Sequence, residues 1–561
     1  MDYDIRLIST LDKVFPKSGM LEAAQIRRIS GFRGQRVSFQ AAYCYHGKYF
    51  VDQTEIQATR NPYVTVSVEG NFEGEVQIRK VKCVPVKFPR ERGTVQYDSE
   101  YLCDEPGLYP DILEIFDGGI QIIKEQWRAL WIDCQIPKEA KGGDRKITLI
   151  FTDTDGKVCA KESLILHVIP AELPKQRVIH TEWFHSDCLA DYYHVDVFSE
   201  EYWRIMENFL RKARERGVNM ILTPIFTLPL DTLIGGERTT TQLVAVTKKK
   251  GEYFFDYAKF HRWIVLCKKI GFDYFEVSHL FSQWGAKFPP KIVADVDGKQ
   301  EKIFGWHTPV ENGEYEKFLA AFLPTFVEEL KKEKIADRTF FHISDEPTSH
   351  NIDTYEKAKD MVLPYIEGIP VLDALSDLAF YEKGVVEKPI PSSDHVHEFL
   401  DVGMKNGWTY YCVGQGYKVS NRFIAMPGWR TRILGVQLYK YQMEGFLHWG
   451  FNFYNTQYSL RSVNPYQEND ADDAFPAGDA FIVYPGENGE AVESMRLPLM
   501  EDAMLDVRLL EYLEELTDRE TVMKLVEQNE SFELRFDEYP RGAEYLLNLW
   551  EKVAEEIEKQ L

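Results

Sequence analysis

The sequence predicts a multidomain protein that joins a β domain to an α/β domain: an N-terminal antiparallel β-sandwich, followed by a (β/α)8 barrel with a C-terminal helical tail. In the first part of the chain, apolar and polar residues alternate with a period of two. After the proline-flanked linker at 170–174, strands alternate with amphipathic helices instead. The 561 residues suffice for both domains, which we place at 1–173 and 174–561.

Short alternating strands fill the region from residue 25 to residue 170. They are predicted at 37–43, 63–68, 76–86, 129–136, 146–151 and 163–169. Turn residues separate them and no helical pattern intervenes, which is typical of an antiparallel sandwich. The sandwich could bind carbohydrate or serve only to pack against its neighbour.

Strands and helices alternate from residue 178 into the tail. Strands are predicted at 178–183, 218–223, 273–279 and 338–344, less regularly at 369–374 and 388–393, and more clearly at 408–413 and 444–453. Helices are predicted at 199–216, 256–270, 313–334, 349–365 and within the tail, 500–561. About eight such units predict a (β/α)8 barrel. An open doubly wound sheet is the alternative, but the Gly-rich phosphate turn of its dinucleotide-binding forms is absent.

Composition and charge exclude several classes of partner. A formal net charge of −23 repels phosphate backbones and anionic lipids, so neither nucleic acid nor a membrane is an expected partner. The N-terminus has no apolar signal-peptide segment, and no run of residues approaches a membrane span. The eight cysteines are scattered, as expected for reduced thiols. These observations predict a cytoplasmic protein and leave its oligomeric state open.

Two adjacent carboxylates, Asp345 and Glu346, follow an apolar strand directly, and Pro347 prevents the strand from continuing. The carboxyl ends of the strands form the catalytic face of a parallel barrel. The sequence therefore predicts Asp345 and Glu346 as catalytic residues. A solvated Asp-Glu-Pro turn is the alternative.

Other predicted strand ends carry aromatic and polar side chains suited to a sugar. The candidate substrate-binding residues are Trp183, His185, His279, Trp284, Tyr411, Tyr417, Trp449, Asn452 and Asp479. Aromatic faces stack on sugar rings, and paired polar groups bind the hydroxyls. For each aromatic residue, packing in the core is the alternative.

Metal and serine hydrolase chemistry are both disfavoured. A metal hydrolase needs ligands at short spacing, such as His-x-His on the first barrel strand, whereas His180 and His185 are five positions apart. The Gly-x-Ser-x-Gly turn of a serine nucleophile is absent. We therefore predict no metal and no other cofactor.

The adjacency of Asp345 and Glu346 indicates a particular glycosidase mechanism. An ordinary retaining glycosidase needs its two carboxyl groups on opposite sides of the anomeric carbon, ~5 Å apart. Neighbouring residues serve better if the substrate carries a 2-acetamido group that is itself the nucleophile. Asp345 would then hold and polarise the acetamide N–H, and Glu346 would protonate the leaving oxygen.

Four segments resemble glycoside hydrolase family 123. They are His-Ile-Ser-Asp-Glu-Pro at 342–347, Thr-Glu-Trp-Phe-His-Ser-Asp-Cys at 181–188, Gly-Phe-Leu-His-Trp-Gly-Phe-Asn at 445–452 and Gly-Asp-Ala-Phe-Ile-Val-Tyr-Pro-Gly at 478–486. The resemblance covers most of the chain, including a sandwich before the barrel. It implies a β-N-acetylgalactosaminidase that uses substrate assistance, with Asp345 orienting the acetamide and Glu346 as the acid/base.

Residues and resemblance together predict an exo-acting glycoside hydrolase that releases terminal β-linked N-acetylgalactosamine from small oligosaccharides. One alternative is a hexosaminidase for another 2-acetamido sugar. The other is a non-catalytic barrel that binds carbohydrate. The aglycone and the linkage are left open.

Overall fold

The structure, a computed structural model, describes residues 2–47, 63–91, 98–529 and 531–561. Its N-terminal part is built from ten strands. In chain order these are β1 Tyr3–Ile8, β2 Arg28–Phe32, β3 Arg36–Tyr45, β4 Tyr63–Gly70, β5 Glu75–Val86, β6 Gly107–Ile115, β7 Gly119–Gln121, β8 Arg128–Gln135, β9 Gly143–Asp153 and β10 Val158–Ile169.

The ten strands form two five-stranded sheets, in the orders β1-β3-β8-β5-β6 and β2-β10-β9-β4-β7. Their pairs are antiparallel except β2 with β10. Alternate residues turn inward, so that aliphatic and aromatic side chains such as Phe39, Leu130 and Leu149 form a dry core. The predicted strands are confirmed, whereas β1, β2, β6 and β7 lie where the alternation is weak or short.

The rest of the chain combines short strands with helices. The strands are β11 Ile179–Glu182, β12 Met220–Thr223, β13 Ala245–Lys249, β14 Glu252–Asp256, β15 Tyr274–Val277, β16 Ile292–Val296, β17 Lys299–Phe304, β18 Thr339–Phe340, β19 Leu372–Ala374, β20 Lys388–Ile390, β21 Trp408–Tyr410, β22 Gly445–His448, β23 Val483–Pro485 and β24 Ala491–Glu493. The helices are α1 Ser186–Tyr193, α2 Glu200–Glu215, α3 Ala258–Ile270, α4 Glu314–Lys332, α5 Ile352–Asp360, α6 Ala379–Glu382, α7 Val396–Asp401, α8 Gly428–Arg432, α9 Leu434–Lys440, α10 Arg496–Leu516, α11 Arg519–Val526 and α12 Ala543–Gln560.

Parallel strands form the centre of this second region. Six of them form a sheet in the order β18-β15-β12-β11-β22-β21, and β19 pairs with β20. Single parallel bridges join Phe341 to Val371 and Ser392 to Tyr410, and so connect the strand pair to both ends of the sheet. The carboxyl ends of these strands therefore converge on one face. The prediction of a β-rich N-terminal region followed by an α/β region is confirmed.

Local signals place the helices. Ser199 caps α2, since its hydroxyl accepts a hydrogen bond from the Tyr202 N–H. Leu509, Leu510 and Leu513 of α10 are buried, so the apolar side of this helix packs against the core. The sequence did not predict the sheet β14-β13-β16-β17, which is inserted by the long connections after β12 and β15.

A buried ionic cluster fastens the sandwich to the second region. Arg79 of β5 pairs with Asp133 of β8 at 2.5 Å and with Glu493 of β24. Glu493 also accepts from Arg216, at 2.7 Å. Burial opposes ionisation of Glu493, but the two guanidinium groups outweigh it and hold its pKa well below the usual value. The cluster ties both parts together at a fixed orientation.

In the described ranges, no helix combines the length and the apolar character needed to cross a membrane.

Candidate active site

A cleft of about 380 Å³ opens where the parallel strands end. It is lined by Trp183, Leu230, Asp231, Gln283, Trp284, Asp345, Glu346, Ala374, Tyr410, Cys412, Val413, Gly414, Gln415, Leu447, Trp449, Gln457, Tyr458 and Phe475. Aromatic rings, carboxyl groups and amides thus share one concave surface, a composition suited to a small polar ligand with apolar faces.

Asp345 and Glu346 lie side by side in the cleft, just beyond β18. Successive side chains of an extended strand point to opposite faces, so a local change of backbone must bring both into one cavity. This change of backbone occurs at Glu346, which has a left-handed φ of +46°. The Glu346 N–H donates to Ala374 O at 3.0 Å. A non-glycine residue in this conformation is strained, and such strain often accompanies functional positions.

Asp345 is held from one side by Gln283, whose Nε2 donates to Asp345 Oδ2 at 2.6 Å. The backbone N–H of Trp284 donates to Asp345 O at 3.0 Å. Burial raises the pKa of the Asp345 carboxyl well above its usual value, and the neighbouring charge of Glu346 adds to the shift. A cationic group arriving at Asp345 would offset both effects.

Glu346 is held from the other side by Tyr410, the last residue of β21, whose hydroxyl donates to Glu346 Oε1 at 2.9 Å. The Glu346 side chain is only partly buried, in contrast to Asp345, which is 6% exposed. The two carboxyl groups therefore face different partners: an amide for Asp345 and a phenol for Glu346.

A buried charged layer supports the cleft from below. Glu276 on β15 accepts from Trp183 Nε1 at 3.2 Å and from His342 Nε2 at 2.9 Å. Asp373 on β19 lies 3.6 Å from His342 Nδ1. Burial alone would lower the pKa of His342, but the two carboxylates outweigh it and raise the pKa to about 10. His342 thus lies under the cleft between two carboxyl groups that favour its charged form.

Glu182 ends β11 and Glu276 lies near the end of β15, so both would be rival nucleophiles by sequence position. Both side chains are completely buried, and neither lines the cleft. Glu182 pairs with Arg422 at 2.5 Å, while Glu276 binds Trp183 and His342. Each carboxylate is thus engaged beneath the cleft.

One set of described side chains, His279, His342 and Asp373, has ligand atoms within 4.8 Å of one another, close enough to suggest a metal site. The two imidazole rings are stacked at 4.5 Å with only 20° between their planes. The lone pair of an imidazole nitrogen lies in the ring plane, so stacked rings cannot both direct a lone pair at one ion ~2 Å away. Burial and the charge of His342 keep the pKa of His279 well below its usual value, which favours a neutral ring against a charged one. We assign no metal to this group.

A second set of residues supports Trp449 on the cleft wall. Trp449 Nε1 donates to Asp479 Oδ2 at 2.8 Å, and Trp449 O lies 2.8 Å from His185 Nε2. The amide of Asn452 accepts from His185 N and donates to His185 O. Burial raises the pKa of Asp479 to about 7, although Trp449 and nearby arginines oppose the shift.

The sequence-predicted residues divide into two groups. Asp345, Glu346, Trp183, Trp284 and Trp449 line the cleft. The remaining candidates lie outside it: His185, Asn452 and Asp479 behind Trp449, His279 beneath the cleft, Tyr411 buried with its hydroxyl near Met500, and Tyr417 in an adjoining cavity.

Sequence reasoning missed four cleft residues with direct roles in its geometry. Gln283, Asp231 and Tyr458 lie on connections rather than strands. Tyr410 lies on a predicted strand, but its neighbour Tyr411 was the predicted binding residue. The Tyr458 N–H donates to Asp231 Oδ2 at 2.9 Å, and burial raises the pKa of Asp231 to about 6. The alternation of side chains along β21 could have identified Tyr410, since Tyr411 must face the opposite side.

Comparison with known proteins identifies the family of the chain. The model of "Glycoside hydrolase 123, catalytic domain" matches residues 183–513. A family 123 glycoside hydrolase from Clostridium perfringens, solved to explain glycolipid glycan hydrolysis, has the same fold: the TM-score is 0.70 at 16% identity, over 99% of this chain and 97% of that one. A β-glucuronidase from Parabacteroides merdae matches far more loosely, with a TM-score of 0.32 at 11% identity, over 83% of this chain and 49% of the other. No curated protein matches the chain. The chain belongs to glycoside hydrolase family 123 and is a glycosidase.

Proposed function

We propose that the protein is an exo-acting β-N-acetylgalactosaminidase that removes terminal sugars from oligosaccharides by substrate assistance. The observation that carries the proposal is the arrangement of Asp345 and Glu346, adjacent in one cleft but bound to different partners, Gln283 and Tyr410. Such a pair can serve two atoms of one sugar, its acetamide nitrogen and its glycosidic oxygen. The choice of N-acetylgalactosamine rests on the family resemblance of the sequence.

In the proposed first step, the acetamide oxygen of the substrate attacks the anomeric carbon as the glycosidic bond breaks. Glu346 gives its proton to the departing oxygen, and Asp345 accepts a hydrogen bond from the acetamide N–H. The product is a bicyclic oxazolinium ion. Water then opens this ion while Glu346 takes up the water proton, so the sugar leaves with its original β configuration.

Electrostatics support this role for Asp345. Burial and the charge of Glu346 raise the pKa of Asp345, so ionisation of its carboxyl group is unfavourable. Positive charge that develops on the acetamide nitrogen would relieve this cost in the transition state. An interaction that strengthens as the reaction proceeds lowers the barrier, whereas one of equal strength throughout does not.

The remaining carboxyl group of the cleft, Asp231, is the alternative nucleophile. It lies on the Gln283 side, where its backbone N–H donates to Gln283 Oε1. The Oδ2 atom of its carboxyl group already accepts a hydrogen bond from Tyr458 N. We therefore assign Asp231 to the binding of sugar hydroxyls, together with Trp183, Trp284 and Trp449 as the apolar wall.

We further propose that the second region is a (β/α)8 barrel over residues 174–561 and that 1–173 form the sandwich domain. Eight parallel strands follow one another in a cycle when the two single bridges are included. A helix follows each of them before the next begins. The expected cytoplasmic location, and the absence of nucleic-acid and membrane partners, stay predictions.

The test uses aryl 2-acetamido glycosides of galacto and gluco configuration, α and β. We expect turnover of the β-galacto compound, strong inhibition by a thiazoline analogue of N-acetylgalactosamine, and almost no hydrolysis of the aryl galactoside without the acetamide. Preference for the gluco compound would favour a hexosaminidase for another 2-acetamido sugar. Binding without release would indicate a carbohydrate-binding barrel, which family membership disfavours. A covalent glycosyl ester trapped on Asp231, Glu182 or Glu276 would contradict the mechanism.

A further inference from the structure

The loop at residues 478–481 carries the carboxyl group that supports Trp449. Asp479 is completely buried, and its Oδ2 accepts a hydrogen bond from Trp449 Nε1 at 2.8 Å. The loop also lies against the chain just after Trp449. A Cβ at Gly450 would come within 2.7 Å of backbone atoms of Asp479 and Ala480, so only glycine permits this approach. The position of the Trp449 indole therefore depends on the position of the loop.

Arg496, the first residue of α10, binds both ends of this loop. Its Nη1 donates to Gly478 O at 2.7 Å and to Phe481 O at 2.9 Å. Gly478 has a left-handed φ of +89°, and a Cβ there would lie 2.6 Å from Ile424 Cγ1 and 3.0 Å from Arg496 Nη1. Arg496 is 1% exposed, so bulk water does not compete for the two hydrogen bonds.

Asp111 on β6 of the sandwich is the acidic partner of Arg496. Its Oδ1 accepts from Arg496 Nε and its Oδ2 from Arg496 Nη2, both at 2.9 Å, which is the paired geometry of a strong arginine–carboxyl contact. The Tyr484 hydroxyl also donates to Oδ2, at 2.6 Å. Burial opposes the charge of Arg496, but Asp111 outweighs it and raises the pKa of the guanidinium above its usual value. The sandwich thus fixes the side chain that binds the loop.

We infer that Asp111 is a positioning residue, which fixes the indole of Trp449 on the cleft wall through Arg496 and the loop at 478–481. The sandwich therefore acts on the cleft without contacting the sugar. A buried guanidinium that loses its acidic partner is destabilised in place, so it must shift. The carbonyl groups that it binds would shift with it, and so would Asp479. The inference rests on the proposed function only for the contact between Trp449 and the sugar.

The first experiment observes Trp449 directly, in protein labelled with 5-fluorotryptophan. The chain has 11 tryptophans, so the fluorine resonance of Trp449 is assigned by its loss in Trp449→Phe. We expect Asp111→Asn, which keeps the shape of the side chain, to shift or broaden this resonance in the folded protein. An unchanged Trp449 resonance in folded Asp111→Asn would overturn the inference.

Steady-state kinetics on the aryl β-N-acetylgalactosaminide provide the second experiment. We expect Asp111→Asn to raise KM about threefold while kcat changes by less than about twofold, because Trp449 binds the sugar and takes no part in bond breaking. In the Trp449→Ala background, the same substitution should change KM by less than about 1.5-fold, since the ring through which Asp111 acts is gone. Equal increases of KM in both backgrounds would contradict the inference.

Asp133→Asn is the matched control. Asp133 is another buried carboxyl group of the sandwich, and it pairs with Arg79 at 2.5 Å in the cluster that contains Glu493. None of these three side chains lines the cleft. Asp133→Asn should lower Tm but leave the Trp449 resonance and KM unchanged. If it altered both as much as Asp111→Asn does, the effect of Asp111 would be general destabilisation.

Tyr484→Phe is a second, milder variant, which removes one hydrogen bond to Asp111 and keeps the ring. We expect a smaller shift of the same Trp449 resonance, so the inference stays testable if Asp111→Asn does not fold. No shift in folded Tyr484→Phe would then count against it. The resonance is recorded without substrate. A shift would therefore support the positioning role even if the aryl glycoside were not hydrolysed, in which case the proposed function alone would fail.

Discussion

The sandwich and the second region bury different kinds of side chain. The interior of the sandwich is aliphatic and aromatic, as at Phe39, Leu149 and Leu166. The parallel strands instead bury carboxyl and imidazole groups directly below the cleft, such as Glu276 and His342. Burial of apolar side chains stabilises the fold without specific partners. A buried charge is destabilising unless a partner compensates for its desolvation. The groups below the cleft therefore depend on specific polar partners, whereas the side chains between the two sandwich sheets do not.

Glu346→Gln tests the functional side of this comparison most strongly. We expect a fall in kcat of about 10²–10⁴-fold on oligosaccharides, because a poor leaving group needs the proton. An aryl substrate with an activated leaving group departs without protonation and should lose far less. Steady-state kinetics on both substrates measure the ratio. Equal losses would contradict the assignment of Glu346 as the acid.

Asp345→Asn should lower kcat by about 10²–10³-fold on the acetamido sugar without destabilising the fold. Because the pKa of Asp345 is raised in the folded protein, its ionisation opposes folding at pH values above the ordinary carboxyl pKa. The neutral amide removes this cost, so Tm at pH 7 should stay equal or rise. A marked drop in Tm, measured by calorimetry, would show that Asp345 supports the fold.

His342→Gln should weaken the charged layer in a pH-dependent way. The folded pKa of His342 is about 10 against 6.5 in a solvated chain, so its stabilisation is complete below pH 6.5 and is lost as the pH rises through about 10. The difference in Tm between wild type and variant should therefore be largest near pH 6 and shrink towards pH 10. A difference that does not vary with pH would mean that His342 is neutral.

Leu149→Ala makes the corresponding change in the sandwich. Leu149 is fully buried among apolar neighbours, so we expect a loss of about 2–5 kcal/mol in the free energy of unfolding. No charge is involved, and the loss should be the same at pH 6 and pH 9. Activity per folded molecule should not change. Denaturant unfolding at both pH values, with an activity assay, checks all three expectations.

Trp449→Ala should have the smallest effect. Trp449 is part of the cleft wall, and its ring contacts His185, Phe453 and Phe475. Loss of a stacked ring should raise KM about tenfold with a near-native Tm. Trp183→Ala provides the comparison, since Trp183 is 2% exposed and should cost stability as well. Unfolding of the Trp449 variant would show that its ring belongs to the core.

Local patterns in the sequence determined several features that the structure retains. Period-two alternation marked the strands around Phe39, Leu130 and Leu149, because a strand with one buried face must alternate. Ser199 marked the start of a helix through its capping hydroxyl. The apolar strand that stops at Asp345 placed two carboxyl groups at a strand end. Each of these signals acts over a few residues and needs no distant partner.

Tertiary structure alone decided which side chains meet. Gln283 reaches Asp345 from a connection 62 residues away in sequence, and Tyr410 reaches Glu346 from the end of β21, 64 residues away. The pairing of His342 with Glu276 and that of Asp98 with Arg430 likewise depend on how separate elements pack. No local propensity encodes such contacts, since the same residues in a different register would face a different neighbour. The sequence therefore indicated the strand end where the two carboxyl groups lie, and the fold selected the side chains that contact them.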